Sequence, residues 1–238
     1  MTFLVIKDIV SGYSKELNIL DGVSMCVEQG QMVSIIGPNG AGKSTVLKTI
    51  FGILQARQGQ VIFKEEDLTN TPPAELLKKG FSLVPQGRNL FPLMTVRENL
   101  ELGAYIKTDK KEIEQGIELV YDMFPILKER TAQKAGTLSG GEMQMLEMGR
   151  AMLLDPEIML IDEPSLGLSP KMAHEVFNKI EEINKRGTSI LIVEQNADRS
   201  LRMSDYAYVI ETGKNKREGP AEQIRNDDEI KRLYLGAG

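Results

Sequence analysis

Residues 37–45 read Gly37-Pro38-Asn39-Gly40-Ala41-Gly42-Lys43-Ser44-Thr45. This is a glycine-rich loop of the form G-x-x-x-x-G-K-[ST], which cradles nucleotide phosphates. Its glycines let backbone N–H groups turn inward on an anion. Lys43 is expected to reach the β- and γ-phosphates, and Ser44 to ligate Mg²⁺. A second group stands at Ile158-Met159-Leu160-Ile161-Asp162-Glu163, an apolar run ending in two carboxylates. Taken alone, the pair could equally cap a loop. Behind a phosphate loop, Asp162 is expected near Mg²⁺ through a bound water. Glu163 then lies one step further, toward the γ-phosphate. A carboxylate there can polarise the attacking water as a general base, an effect of about 10²–10⁴-fold.

A third motif, Leu138-Ser139-Gly140-Gly141-Glu142, has two readings. As local structure it is an ordinary helix start, with Ser139 capping and Glu142 closing the box. As chemistry it presents a hydroxyl, free amides and a positive dipole end to an anion. Sequence mechanics alone favour the ordinary start.

Elements of two kinds must hold these groups. Short apolar runs at 4–9, 31–36, 60–63, Phe81–Val84, 158–161, Ser189–Val193 and 206–210 read as strands. The later ones are rich in Ile, Val and Leu and bounded by polar residues, as buried parallel strands are. Helices fill the gaps. Lys43–Ile50 follows the glycine loop, and Pro170–Lys185 follows the carboxylates, with Ser169 as N-cap and Pro170 at the first helical position. This alternation predicts an α/β fold with a largely parallel sheet. From about residue 88 to 154 the pattern is helical. Capping boxes are expected at Thr95–Glu98, Asp109–Glu112 and Ser139–Glu142, with Pro125 ending the second helix. The expected organisation is one domain over 1–238, with an α/β core at 1–87 and 155–238 and a helical subdomain at 88–154. The tail, 220–238, reads as helical turns of mixed charge.

Composition sets limits. The chain has 238 residues, 41% of them hydrophobic, enough for a substantial core. The formal net charge of -5 argues against nucleic acid as partner, since phosphate backbones demand a basic face. The single cysteine, Cys26, excludes an internal disulfide and fits a reducing compartment. Within Ser24-Met25-Cys26-Val27 it is expected to be a small buried core residue. No run approaches the roughly 18 apolar residues of a spanning helix, and the N-terminus has no signal-peptide pattern. Any work at a membrane is expected to go through other subunits. Met145, Met148 and Met152 share a helix face and, with Met143, are expected to pack in the core. The lone histidine, His174, is expected at the surface.

The set formed by residues 37–45, Gln86, residues 138–142 and Asp162-Glu163 resembles the ATP-binding cassette family over essentially the whole chain. The resemblance implies a P-loop NTPase core with an antiparallel β region near the N-terminus, and ATP and Mg²⁺ as ligands. It also implies head-to-tail pairing of two cassettes, so that Ser139, Gly140, Gly141 and Glu142 meet the nucleotide of the neighbour. Gln86, after Phe81-Ser82-Leu83-Val84-Pro85, matches the glutamine that touches Mg²⁺ and links to the transmembrane subunit. Tyr13, in Ser11-Gly12-Tyr13-Ser14, matches the aromatic that stacks on adenine. Membrane-subunit docking is expected around 86–94, where Leu90, Phe91, Leu93 and Met94 are too many apolar side chains for a solvated connector.

Two positions depart from the usual pattern. Gln195, in Val193-Glu194-Gln195-Asn196, stands where the family commonly has a switch histidine. Glutamine can bond the γ-phosphate or orient water but cannot carry a proton near neutral pH. Ser169 stands where many relatives have aspartate. These departures, with Glu163-Pro164-Ser165-Leu166-Gly167-Leu168 and the ending near Tyr234-Leu235-Gly236, resemble the ATP-binding subunit of branched-chain amino-acid importers. Subunits for urea or short-chain amide uptake share parts of the pattern. The resemblance implies an ATPase at the inner face of the cell membrane, on the cytoplasmic side. Its partners would be transmembrane permease subunits and a second ATPase subunit, a distinct homologue in the complex or a second copy in isolation.

Overall fold

The computed structural model describes residues 2–14, 16–87 and 89–234. Two sheets form its frame. The larger has six strands: β3 (Met32–Ile36), β6 (Phe81–Val84), β7 (Ile158–Asp162), β8 (Ser189–Val193), β9 (Tyr206–Glu211) and β10 (Lys214–Pro220). Their spatial order is β10-β9-β3-β8-β7-β6. All neighbours run parallel except the β9–β10 hairpin. Every residue of β3, β7 and β8 is buried, which is why these strands read as continuous apolar runs rather than alternating ones. Register pairs Asp162 with Val193, Ile35 with Val193, and Ile36 with Val209. The carboxyl ends therefore finish at one edge, where ligands bind in open parallel sheets.

The smaller sheet is antiparallel: β1 (Thr2–Ser11), β2 (Leu20–Glu28), β4 (Ala56–Phe63) and β5 (Glu66–Asp67), in the order β2-β1-β4-β5. It shares one hydrophobic cluster with the larger sheet, with α1 (Lys43–Ile50) contributing Val46, Leu47 and Ile50 between them. Burial alternates along β2, so Val23, Met25 and Val27 are inside and Cys26 is on the exposed face. The expected buried thiol is thus corrected. A pleat that buries Met25 and Val27 cannot also bury the residue between them. The Cys26 amide donates to Tyr208 Oη at 2.9 Å. A short α2 (Pro73–Lys78) precedes β6.

Between β6 and β7 the described chain is helical: α3 (Val96–Gly103), α4 (Lys110–Met123), α5 (Pro125–Glu129) and α6 (Gly140–Met152). The Thr95 and Ser139 boxes both close reciprocally. Asp109 caps α4 through the amide of Lys111, one residue short of the box expected with Glu112. Pro125 opens α5 rather than merely ending α4. Buried Asn99 pins the entry loop, accepting from the Phe91 amide at 2.9 Å and donating to its carbonyl at 3.1 Å. Met145 and Met148 are buried, with Met143 and Met152 packed against the same cluster. Beyond β7 come α7 (Pro170–Lys185), α8 (Ala197–Met203), α9 (Ala221–Asn226) and α10 (Asp228–Tyr234). Ser169 accepts from the Met172 amide, and His174 is exposed, both as the sequence suggests.

Candidate functional site

The loop from Gly37 leaves β3 and enters α1. Gly37, Gly40 and Gly42 have φ of 152°, 80° and 101°, in the region that disfavours side chains. A Cβ on Gly37 would also sit 2.0 Å from the Ile210 carbonyl, so the loop crosses β9 too closely for any other residue. The N-cap of α1 is Gly42, with no side chain bonded to the first amides. Those amides and the helix dipole face the cleft, a ready anion site. Lys43 is buried, and its Nζ donates to the carbonyls of Gly37 at 2.8 Å and Pro38 at 3.0 Å. Burial pulls its pKa down, opposed by the Glu163 and Asp162 charges. Ala41 and Thr45 are buried; Asn39 and Gly40 are exposed at the mouth.

The end of β7 meets this loop. Asp162 is buried, and its Oδ1 accepts the Ser44 hydroxyl at 2.8 Å. Burial raises its pKa, against the Ser44 bond and the charges of Lys48 and Lys43. Glu163, also buried, has φ 47°, a left-handed backbone unusual for a residue with a side chain. Its Oε2 accepts from Gln86 Nε2 at 2.8 Å, so the glutamine after β6 reaches it across 77 residues of sequence. Burial first, then the Asp162 charge, push the Glu163 carboxyl up, and Lys43 opposes them. On the other flank Gln195 Nε2 lies 3.5 Å from Asn39 Oδ1.

These groups line one open cavity of 390 Å³ that also takes in Tyr13, Ile19, Gly40, Gly42 and Thr45. The Tyr13 ring is 61% exposed, free on a face for a flat partner, with Lys48 Nζ 3.2 Å from its hydroxyl. Sequence reasoning missed Ile19, which precedes a strand it did not find. It also missed Lys48, whose signal was its place one helical turn after Ser44. Ser139, Gly140, Gly141 and Glu142 do not line the cavity. Ser139 is exposed at the tip of α6, and a Cβ on Gly141 would sit 2.0 Å from Met172 Cε. The Ser139 amide holds the Glu142 carboxyl below its ordinary range. Within the single chain the two motifs are therefore brought to different places. Leu235 and Gly236, part of the ending noted in the sequence, lie outside the described residues.

Known proteins agree with this arrangement. The family model described as "ABC transporter" matches residues 20–166. The high-affinity branched-chain amino acid transport ATP-binding protein BraG of Pseudomonas aeruginosa is 41% identical, the match covering 96% of this chain and 98% of that protein. Among solved structures, the ADP conformation of an ATP-binding cassette of an ABC transporter matches with TM-score 0.86 and 34% identity, covering 99% of both chains. A dimeric cassette in a post-hydrolysis state bound to ADP and phosphate matches with TM-score 0.79 and 25% identity, covering 92% of this chain and 98% of that one. A phosphate loop, an acidic strand end and a detached signature helix in one fold carry the same conclusion: the chain belongs to the ABC transporter family, as one of its nucleotide-binding, ATP-hydrolysing subunits.

Proposed function

We propose that this chain is the ATP-hydrolysing motor of an importer for branched-chain, hydrophobic amino acids, bound to the inner face of the cell membrane. The observation that carries the mechanism is the convergence of Lys43, the Ser44–Asp162 pair and the Gln86–Glu163 pair in one cavity. The substrate class rests on the likeness to the Pseudomonas protein. In this reading the amides of residues 37–45 and Lys43 hold the ATP phosphates, and Tyr13 stacks on the adenine. Glu163 orients the attacking water and takes its proton, while Gln195 bonds the γ-phosphate without a proton role.

The residues fit Mg²⁺. Ser44, Asp162 and Gln86 offer only oxygen donors on this side of the cavity. No group of three or more His, Cys, Asp or Glu suited to a metal occurs among the described residues. A hard cation held by few protein oxygens and completed by phosphates suits that donor set. When bound, Mg²⁺ neutralises charge on the β- and γ-phosphates. Ser139, Gly140, Gly141 and Glu142 complete the site of a second ATPase subunit, distinct in the complex or identical in isolation. Residues 88–154 move as one helical lobe when the pair closes.

No helix among the described residues is long and apolar enough to cross a membrane, so permease subunits supply the channel. They dock, in this proposal, on an apolar groove of 600 Å³ between the core and the lobe, whose lining includes Phe51, Leu83, Phe91, Leu102 and Tyr105. Phe91 is 50% exposed and nearby Leu93 82%. Such an apolar groove suits a short helix from a partner. Phe91→Glu and Leu93→Glu should each leave the isolated chain's ATPase unchanged and abolish recovery of the membrane subunits in a pull-down. Assembly that survives both would move the docking site elsewhere. The function itself is tested by reconstituting the assembled transporter in proteoliposomes with MgATP. Leucine uptake coupled to phosphate release is expected; urea-coupled release instead would overturn the substrate.

A further inference from the structure

Glu194 is a fully buried carboxylate at the end of β8, 1% exposed, that no step described above uses. Its two oxygens divide their work. Oε1 accepts the Ser165 amide at 2.9 Å, and Oε2 accepts the amides of Gln195 at 2.9 Å and Asn196 at 3.2 Å. Ser165 lies two residues beyond Glu163, and Gln195 is the next residue in the chain. One side chain therefore ties the loop that carries Glu163 to the loop that carries Gln195.

The backbone at Glu163 supplies the second half of the argument. Its φ of 47° is sparsely populated for a residue with a side chain and persists only where the surroundings over-determine it. The Glu163 amide donates to the Val193 carbonyl at 2.8 Å, which fixes the start of the segment. The Glu194–Ser165 bond fixes its far end. Between these two anchors the Glu163 carboxylate is aimed at Gln86 and the cavity. The other oxygen anchors the loop from which Gln195 reaches toward Asn39.

We infer that Glu194 is a positioning residue for hydrolysis, a clamp that sets the water-orienting carboxylate of Glu163 and the amide of Gln195 in one fixed geometry. The inference rests on the reading of Glu163 given above. It predicts a split between turnover and binding. Glu194 touches neither the loop of residues 37–45 nor Tyr13, so nucleotide affinity should not depend on it.

The test is steady-state kinetics, nucleotide binding and thermal unfolding on the full chain for Glu194→Ala, Glu194→Gln, Glu163→Gln and Ile230→Ala. Ile230 is buried in the C-terminal cluster, away from the cavity, and serves as a destabilised control. Glu194→Ala should lower kcat by about tenfold or more, the order expected for a small misplacement of a catalytic group. KM and nucleotide Kd should stay within about twofold. Glu194→Gln keeps one accepting oxygen and should lose less. If Glu194→Ala does not fold, the Gln variant decides the matter by the same split. Parent-like kcat in the Glu194 variants, with Glu163→Gln inactive, overturns the clamp alone. A fall in kcat no greater than that of Ile230→Ala at a matched unfolding midpoint also overturns it. Normal turnover by Glu163→Gln would instead overturn the reading of Glu163.

Discussion

Glu163→Gln is expected to lower steady-state phosphate release by about 10²–10⁴-fold, the range of a lost general base, while nucleotide binding persists. The substitution keeps the size of the side chain and one oxygen to accept the Gln86 amide, now 2.8 Å away. What it removes is the only group poised both to orient water and to accept its proton. Burial and the neighbouring Asp162 charge already favour a proton on this carboxyl, which suits a base that must pick one up. Gln195 cannot compensate, because an amide does not titrate near neutral pH. Binding should persist because Lys43 and the loop amides are untouched. The measurement is phosphate release beside equilibrium binding of a fluorescent nucleotide. Near-normal hydrolysis would remove Glu163 from the role.

What the sequence disclosed, and what it hid, follows from how local each signal was. The phosphate loop, the boxes at Thr95 and Ser139, and the Ser169-Pro170 helix start are each written within a few residues, and each forms as read. The parallel strands were legible because burial on both faces leaves an unbroken apolar run. β10 was not, because Lys214-Asn215-Lys216-Arg217-Glu218-Gly219-Pro220 contains no apolar run at all. It is a strand because it pairs with β9 across a tight turn with positive φ at both Thr212 and Gly213. Such a turn matches the twist of a hairpin, but its usual flag is Asn-Gly or Asp-Gly, absent here. Cys26 was misplaced for a related reason: four residues of an alternating run do not say which phase faces the core. At the site, local motifs named the phosphate loop and the carboxylates. The bonds from Ser44 to Asp162 and from Gln86 to Glu163 join residues more than 70 apart in the chain, and only the sheet order makes them neighbours. Glu194 had no motif of its own, since a polar residue closing an apolar strand looks like a boundary.

Ser139→Arg should leave nucleotide binding to the single chain intact and block ATP-dependent pairing of two chains. The first half follows from distance within the chain, since Ser139 stands outside the nucleotide cavity. The second follows from its position: it is exposed at the N-terminus of α6, with free helix amides behind it. A phosphate held by a neighbouring chain would meet that surface. A long cationic side chain there fills the space the approach requires. The substitution also removes a helix cap, a loss of about 1 kcal/mol, so Ser139→Ala is the necessary companion. It loses the same cap bond to the Glu142 amide but adds no bulk. With both variants placed on the slow-hydrolysing Glu163→Gln chain, light scattering in MgATP should show a dimer for Ser139→Ala and a monomer for Ser139→Arg. A monomer for both would trace the loss to the cap or the hydroxyl rather than to obstruction. A dimer for Ser139→Arg as tight as that of the parent would rule out contact between this motif and the neighbour's nucleotide.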